Sequence, residues 1–378
     1  MGAMEKRDSG RASAAKRVAV LGATGSIGKS ALDVLERGRD DFELVLLSAH
    51  SDAKGLAKAG SLWPKAAAVL SGEKGGRELL LSAIAGCGAD IVVNGISGAA
   101  GLEPSMAAIE AGSDLALANK ETLVTAGEIV MRRAREKNAR VIPVDSEHSA
   151  VLNLIEGHGR GATEEVILTA SGGPFRNLST AEMEKAGPAD ALAHPTWNMG
   201  AKISVDSASM ANKGLEVMEA ANLFGLPPEK IRVVVHPQSI VHSMIRTIDG
   251  AVYAQLSPPD MRLPIHQALY GGGTRRADFG RLDFDFLALE FFAPDTERFP
   301  LLALAYEAAK KGGLYPCAYN GANEAAVEAF LSGRIGFLDI ARITGYILGN
   351  DWSARPTDIA SVMEADGRAR AMAEKEMQ

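Results

Sequence analysis

Through the first 150 residues, short apolar runs alternate with segments whose apolar positions recur at helical spacing. Arg17–Leu21 (RVAVL) reads as a buried strand, Gly22–Gly28 (GATGSIG) as the turn after it, and Lys29–Glu36 as a helix. Leu44–His50 is a second strand. Residues 57–70 carry a helix and then a strand, and Ala89–Gly98 (ADIVVNGISG) is a strand entering a glycine-rich turn. Asp114–Asn119 and Ala139–Ser149 continue the series on either side of a helix over Glu121–Lys137. Such alternation predicts a parallel sheet covered on both faces.

From about Thr163 the texture changes. Glu164–Gly173 and Ile231–Leu256 are long β-rich runs, the second resembling adjacent antiparallel strands, with a helix over Ala211–Leu223 between them. Gly271–Pro300 has weak periodicity and many breakers, which suits a connection. Helical patterns then cover Leu301–Lys311, Ala322–Leu331, Phe337–Leu348 and Thr357–Glu374. The fold class is therefore α/β: a Rossmann-like nucleotide-binding domain (16–150), a central α+β domain (151–273), a linker (274–300) and a C-terminal four-helix bundle (301–378). Residues 1–15, with Gly-Ala-Met after Met1, read as a tag remnant and disordered tail.

Composition narrows the partners. A net charge of −7 with no basic tract argues against nucleic acid, and no apolar stretch is long enough to span a membrane. Two distant cysteines, Cys87 and Cys317, give no disulfide framework and fit the reducing cytoplasm.

GATGSIG is G-x-x-G-x-x-G, a relative of the dinucleotide fingerprint, placed after the first strand where that fingerprint belongs. Strand two ends in Ser48-Ala49-His50-Ser51 rather than in the acid that would bind a free ribose hydroxyl. Hydroxyls and an imidazole there favour a 2′-phosphate, hence NADPH; turn and cap chemistry from Ser51 and Asp52 is the alternative.

Lys202–Glu216 (KISVDSASMANKGLE) packs three serines, an asparagine, two lysines and two carboxylates into fifteen residues. Buried, each of these groups needs a partner. Asp145 and Glu147, after the strand VIPV, share one face if the chain stays extended, and otherwise open a helix. With Glu216 they make a three-carboxylate site for Mg²⁺ or Mn²⁺. Ser171, Ser207, Asn212 and Lys213 are donors suited to a phosphate, and Lys120 sits at a strand end within reach of a substrate. His148 and Asp206 receive no metal role, and Asp206 reads as structural support. The loop His194–Gly200 (HPTWNMG) reads either as a core plug at Trp197 or as a lid over bound substrate, with Trp197 and Met199 as its apolar face.

These strings, from GATGSIG through ALANKETLV, VDSEHSA, SGGPFR, HPTWNMGAKISVDSASMANKGLE and VVHPQSIVHSM to NGANEAAVEAFL, resemble the 1-deoxy-D-xylulose 5-phosphate reductoisomerase family over nearly the whole chain. The resemblance implies a homodimeric enzyme that uses NADPH and a divalent cation to form 2-C-methyl-D-erythritol 4-phosphate. It implies Asp145, Glu147 and Glu216 as metal ligands. Ser146, Glu147, Ser171, His194, Ser207, Asn212, Lys213 and Glu216 would meet substrate. Glu147, Lys120, His194 and Trp197 would serve catalysis, with the lid over 194–200. Thr24, Gly25, Ser26, Ile27, Ala49, His50, Ser51, Asn119, Glu121 and Gly200 would meet the cofactor. Two departures stand out: Gly321, where relatives often carry alanine, is expected at a helix start, and the loop SAHSD lacks a Lys or Arg before Asp52. A simple NADP-dependent sugar-phosphate or semialdehyde dehydrogenase would leave the three carboxylates idle. A nucleotide-sensing scaffold would leave the donor-rich segment unexplained.

Overall fold

The computed structural model describes residues 15–197, 199–272 and 275–378. The expected tag remnant and tail fall outside them, apart from residue 15. Six strands, β1 (Lys16–Leu21), β2 (Phe42–Ala49), β3 (Ala67–Leu70), β4 (Ile91–Asn94), β5 (Asp114–Leu117) and β6 (Val141–Pro143), form a sheet in the order β3-β2-β1-β4-β5-β6. Every pairing in it is parallel. In sheets of this order ligands bind beyond the carboxyl ends of the strands, where the order reverses between β1 and β4.

Alternation along β1 sends its side chains into two cores. Ala19 and Leu21 join the face covered by α3 (Gly76–Gly86), α4 (Leu102–Glu110) and α5 (Lys120–Glu136). Val18 and Val20 join the face covered by α1 (Ser26–Arg37) and α2 (Ala53–Ser61). Helix α1 starts three residues before the apolar spacing suggested, because its first turn is the glycine turn itself. A Cβ on Gly28 would lie 2.2 Å from the Gly22 carbonyl, so the close approach of turn and helix requires glycine there.

Strand β6 stops at Pro143, which its edge position tolerates. Asp145 then caps α6 (Ser146–His158), accepting from Glu147 N at 3.4 Å. The extended option for Asp145–Glu147 gives way to a helix start, since two residues past a strand end the backbone donors of α6 need that carboxylate.

A second sheet holds β7 (Thr163–Ala170), β8 (Ile231–Val235), β9 (Val241–Thr247) and β10 (Val252–Leu256) in the order β10-β9-β7-β8. Strands β9 and β10 form the expected antiparallel hairpin. Strand β8 does not join them: it lies across β7 and parallel to it. The crossover between β7 and β8 contains α7 (Thr180–Met183), α8 (Pro188–Leu192), α9 (Ala201–Ala208) and α10 (Ala211–Phe224), and that length permits a parallel return.

Helix α10 lies at the centre of the molecule. It is buried on nearly every face and packs between α5 and the C-terminal helices. Helix α11 (Arg262–Tyr270) returns to the first sheet, where Ile265, Ala268 and Leu269 complete the core under α1. The bundle consists of α12 (Pro300–Lys311), α13 (Tyr315–Leu331), α14 (Phe337–Leu348) and α15 (Ile359–Glu376). Helix α13 begins at Tyr315, not Ala322: Pro316 sits in its first turn, where proline is tolerated, and the fully buried Asn320 interrupts the apolar pattern ahead of Ala322. Gly321 therefore lies mid-helix rather than at a start. A Cβ there would stand 3.0 Å from Asp366 and 3.2 Å from Ala369, so the residue serves the close crossing of α13 and α15. Among the described residues no helix is long and apolar enough to cross a membrane.

Gly214 sets the spacing of α10 and α12: a Cβ would lie 2.6 Å from that of Ala305. Gly214→Ala should lower unfolding free energy by about 1–3 kcal/mol despite its better helix propensity. Adding Ala305→Gly should recover part of the loss in urea titrations; an unchanged midpoint for Gly214→Ala would show that the helices separate freely.

Candidate active site

The carboxyl ends of β1, β4 and β5 face the starts of α6 and α10 across a cleft of about 560 Å³. At one end Gly25, Ser26 and Ile27 open α1. Gly22 has φ +76°, and Gly25 N donates to Gly22 O at 3.0 Å. This leaves the first amides of α1 turned toward the cleft, the arrangement that receives a phosphate group. Facing them, Asn119 caps α5 by accepting from Thr122 N, and its amide donates to Ile96 O, Gly98 O and Glu121 Oε2.

At the other end three carboxylates meet two ammonium groups. Lys120 pairs with Asp145, and Lys213 Nζ lies 2.8 Å from Glu147 Oε1 and 2.5 Å from Glu216 Oε2. Asn212 donates to Glu216 Oε1 at 2.6 Å, and Ser146 Oγ to Glu147 Oε2 at 2.5 Å. Ligand oxygens of Asp145, Glu147 and Glu216 all lie within 4.8 Å of one another. Burial, reinforced by Glu147, pushes the Glu216 carboxyl up to about 8 against the pull of Lys213. Burial alone would raise Asp145 too, but Lys120 and His148 hold it below the ordinary carboxylate range.

Behind this cluster, sealed from the cleft, His148 Nδ1 lies 3.2 Å from Glu219 Oε2 and its Nε2 3.0 Å from Glu216 O. Burial opposes a charge on His148, yet Glu219 outweighs it and raises the imidazolium to about 9. Asp145, His148 and Glu219 also come within metal-ligand reach of one another. The charged histidine makes this group an ion pair rather than a second cation site.

Between the two ends, Gly172 and Gly173 have positive φ, and a Cβ on Gly173 would meet Ser207 O at 2.5 Å. That contact brings the Ser171 turn against the end of α9. His194 Nδ1 accepts from Thr196 N and Trp197 N, so its Nε2 carries the proton and donates to Ser171 Oγ at 3.0 Å. Burial and Arg176 keep the ring neutral by lowering its pKa. Trp197 and Met199 line the cleft and Gly200 caps α9; Asn198 lies outside the described residues.

The cleft thus gathers Gly25, Ser26, Ile27, Asn119, Lys120, Glu121, Asp145, Ser146, Glu147, Ser171, His194, Trp197, Gly200, Ser207, Asn212, Lys213 and Glu216. Asn212 and Lys213 attach to the acid cluster rather than standing apart with the serines. Thr24, Ala49, His50 and Ser51 do not line it. Ala49 is in the core under α1, and the exposed His50 and Ser51 sit beside Asp52, which caps α2 by accepting from Gly55 N at 2.8 Å.

Sequence models of 1-deoxy-D-xylulose 5-phosphate reductoisomerase match residues 18–79 and 64–127, its C-terminal domain matches 141–224, and the DXP reductoisomerase C-terminal domain matches 256–372. The enzyme of that name from Treponema denticola is 49% identical over 367 residues, covering 95% of this chain and 96% of its own; that from Treponema pallidum is 47% identical over 359, covering 94% and 96%. The chain belongs to the 1-deoxy-D-xylulose 5-phosphate reductoisomerase family. A solved reductoisomerase from Zymomonas mobilis in complex with NADPH superposes with a TM-score of 0.87 at 42% identity, over 96% of this chain and 99% of that one. A second, in complex with NADPH, fosmidomycin and magnesium, gives 0.88 at 34% over 96% and 98%.

Within the reductoisomerase cleft, several residues were not singled out from the sequence as site residues: Lys202, Met210, Ser239 and His242. Lys202 lies inside the conspicuous polar segment. Met210 and Ser239 adopt positive φ, a backbone signal that no composition rule reveals. Glu219, the partner of His148, was not singled out, because burial and pairing across α6 and α10 are tertiary facts.

The acid cluster fits a divalent cation: its donors are all oxygen, and ligand atoms from Asp145, Glu147 and Glu216 converge within 4.8 Å of one another. With its pKa raised to about 8 by burial and Glu147, Glu216 would have to give up a proton to serve as a ligand near neutral pH. Mn²⁺ affinity measured by calorimetry should therefore rise as pH goes from 6.5 to 8.5 and flatten above. Glu216→Gln should weaken binding and flatten the profile; a wild-type affinity independent of pH would remove Glu216 from the ligand set.

Proposed function

We propose that this cleft converts 1-deoxy-D-xylulose 5-phosphate to 2-C-methyl-D-erythritol 4-phosphate, by a retro-aldol and aldol pair followed by reduction of the branched aldehyde. The observation that carries the reading is the meeting, in one cleft, of an α1 phosphate-binding turn and a three-oxygen acid cluster. A simple dehydrogenase uses the first and has no need of the second. When bound, the divalent cation supplies Lewis-acid polarisation of the substrate oxygens, and NADPH supplies the hydride.

The residues divide the work along the cleft. Asp145, Glu147 and Glu216 would hold the cation. Ser146 orients Glu147 through its 2.5 Å hydrogen bond. The Lys120 and Lys213 ammonium groups keep the acids charge-balanced and stand where negative charge develops on substrate oxygens. Ser171, Ser207 and Asn212 would receive the substrate phosphate, binding energy remote from the reacting carbons. Neutral His194 keeps a proton on Nε2 for a substrate oxygen while its Nδ1 ties down the Trp197 loop. Trp197 and Met199 shield the carbon skeleton from water. Gly25, Ser26 and Ile27 would receive the cofactor pyrophosphate, with Asn119 and Glu121 beside the nicotinamide. His50 and Ser51, at the end of β2, would reach the 2′-phosphate at the rim.

Divalent-cation removal tests the reading. Chelated protein given 1-deoxy-D-xylulose 5-phosphate should not oxidise NADPH, and Mg²⁺ or Mn²⁺ should restore it. Full turnover in verified metal-free protein would overturn the cation's role. Glu216→Gln should lose at least tenfold in kcat/KM while keeping its NADPH affinity.

The functional unit is a homodimer. Strand β10 is an edge of the second sheet, and Ile248, Val252 and Tyr253, on it or in the turn leading to it, are exposed. An edge strand flanked by apolar side chains needs covering. Light scattering should give about twice the 39.7 kDa chain mass, and Val252→Asp combined with Ile248→Asp should shift it toward one chain. A monomeric wild-type protein at micromolar concentration would rule the dimer out.

A further inference from the structure

The cofactor side of the cleft has a second wall, the turn Gly95–Ala99, packed directly on the glycine turn of α1. A Cβ on Gly22 would lie 2.8 Å from Gly95 O, and one on Gly95 would lie 3.1 Å from Ile27. Gly95, Ile96 and Ser97 all line the cleft. Three groups hold this turn in shape. Asn94 Oδ1 accepts from Ile96 N at 3.1 Å, and Asn119 donates to the Ile96 and Gly98 carbonyls at 2.9 and 2.8 Å. The third group comes from the far end of the chain. Glu324, mid-way along α13, accepts from Ala99 N through Oε1 at 3.1 Å.

The same carboxylate pairs with Arg370 of α15, which also pairs with Asp366. It lies 4.0 Å from Lys202 Nζ, and Lys202 in turn bonds Glu121 at 2.7 Å and Asp206 at 2.9 Å. Next to it, Asn323 donates to Asp206 Oδ1 at 2.8 Å. The side chains of Glu324 and Lys202 are only 12% and 18% exposed, so these charges act at lower permittivity than surface pairs do. Glu324 and Arg370 do not line the cleft. They touch what lines it.

We infer that Glu324 is a positioning residue for nucleotide binding: braced by Arg370, it holds the Gly95–Ala99 turn and Lys202 in one arrangement and so couples the C-terminal bundle to the cofactor wall. The inference rests on the reading that NADPH lies along Gly25–Ile27 and Ile96. Without the carboxylate, Ala99 N–H loses its acceptor and Lys202 loses one of three acidic neighbours. The turn then samples other arrangements, and apparent affinity falls by the fraction of time it spends in the competent one. A turn competent about one-tenth of the time binds about tenfold more weakly.

NADPH dissociation constants measured by calorimetry on the full chain, with no divalent cation and no phosphosugar, separate this role from catalysis. Glu324→Ala should bind NADPH about tenfold more weakly than wild type. Glu324→Gln, which keeps an acceptor for Ala99 N, and Arg370→Ala should fall between the two, and Arg370→Lys should return close to wild type. In turnover assays the loss should appear in KM for NADPH, with kcat and the phosphosugar KM within about threefold of wild type. Arg334→Ala, which breaks an exposed pair with Glu374 in the same bundle, should change none of these. If Glu324→Ala does not fold, Glu324→Gln and Arg370→Ala carry the test. Variants that melt earlier yet bind NADPH as tightly as wild type would overturn the inference and leave Glu324 a stability residue. Failure of wild type to bind NADPH would overturn the cofactor reading beneath it, a different and distinguishable result.

Discussion

Three carboxylates brought together below the surface repel one another and lose hydration, and the rest of the molecule is arranged to make that arrangement affordable. Lys120 and Lys213 enter the cluster from two different helices. Asn212 and Ser146 supply further donors, and the charged His148 with Glu219 closes the rear. Removing Lys120 or Lys213 would leave a buried carboxylate without its counter-ion, a strongly destabilising change. Two supports hold the cluster in place. One is the start of α6 at the edge of the first sheet, and the other is α10, which is buried on nearly every face.

Helix α10 reconciles packing with chemistry. Its first turns carry Lys213 and Glu216, three residues apart and therefore neighbours on one face. Its other faces meet α5 and the C-terminal bundle, where Gly214 permits the close approach of α12. The bundle is thus a wall of the site at one remove. Through Asn323 and Glu324 it also reaches α9 and the Gly95–Ala99 turn at the α1 end of the cleft. A single buried polar network runs from α15 to the carboxyl ends of the first sheet.

Much of this was legible in the sequence because the relevant signals are local. Strand–helix alternation and the position of GATGSIG predict the parallel sheet and its binding edge, since periodicity and glycine turns are properties of neighbouring residues. The density of polar groups in Lys202–Glu216 marks the site for the same reason. Where polar residues are buried in a helix, the local signal fails. Asn320 and the first-turn Pro316 hid the first two turns of α13, and Gly321 looked like a helix start when it is a helix crossing. The run 231–256 suggested adjacent antiparallel strands, yet β8 pairs across β7 and parallel to it, a choice made by the crossover through α10.

By itself, then, the chain determined its elements, its fold class and the chemical types gathered at its site: oxygen donors for a cation, amides and hydroxyls for phosphate, a glycine turn for a nucleotide. Tertiary structure alone decided how they combine. It made Asp145 a helix cap rather than a strand residue and set Lys213 among the acids instead of apart from them. It left His50 and Ser51 outside the main cleft and joined Glu324 to a turn more than two hundred residues away in sequence. Spacing along a chain records which groups are neighbours in one element, whereas charge balance and burial depend on which elements meet.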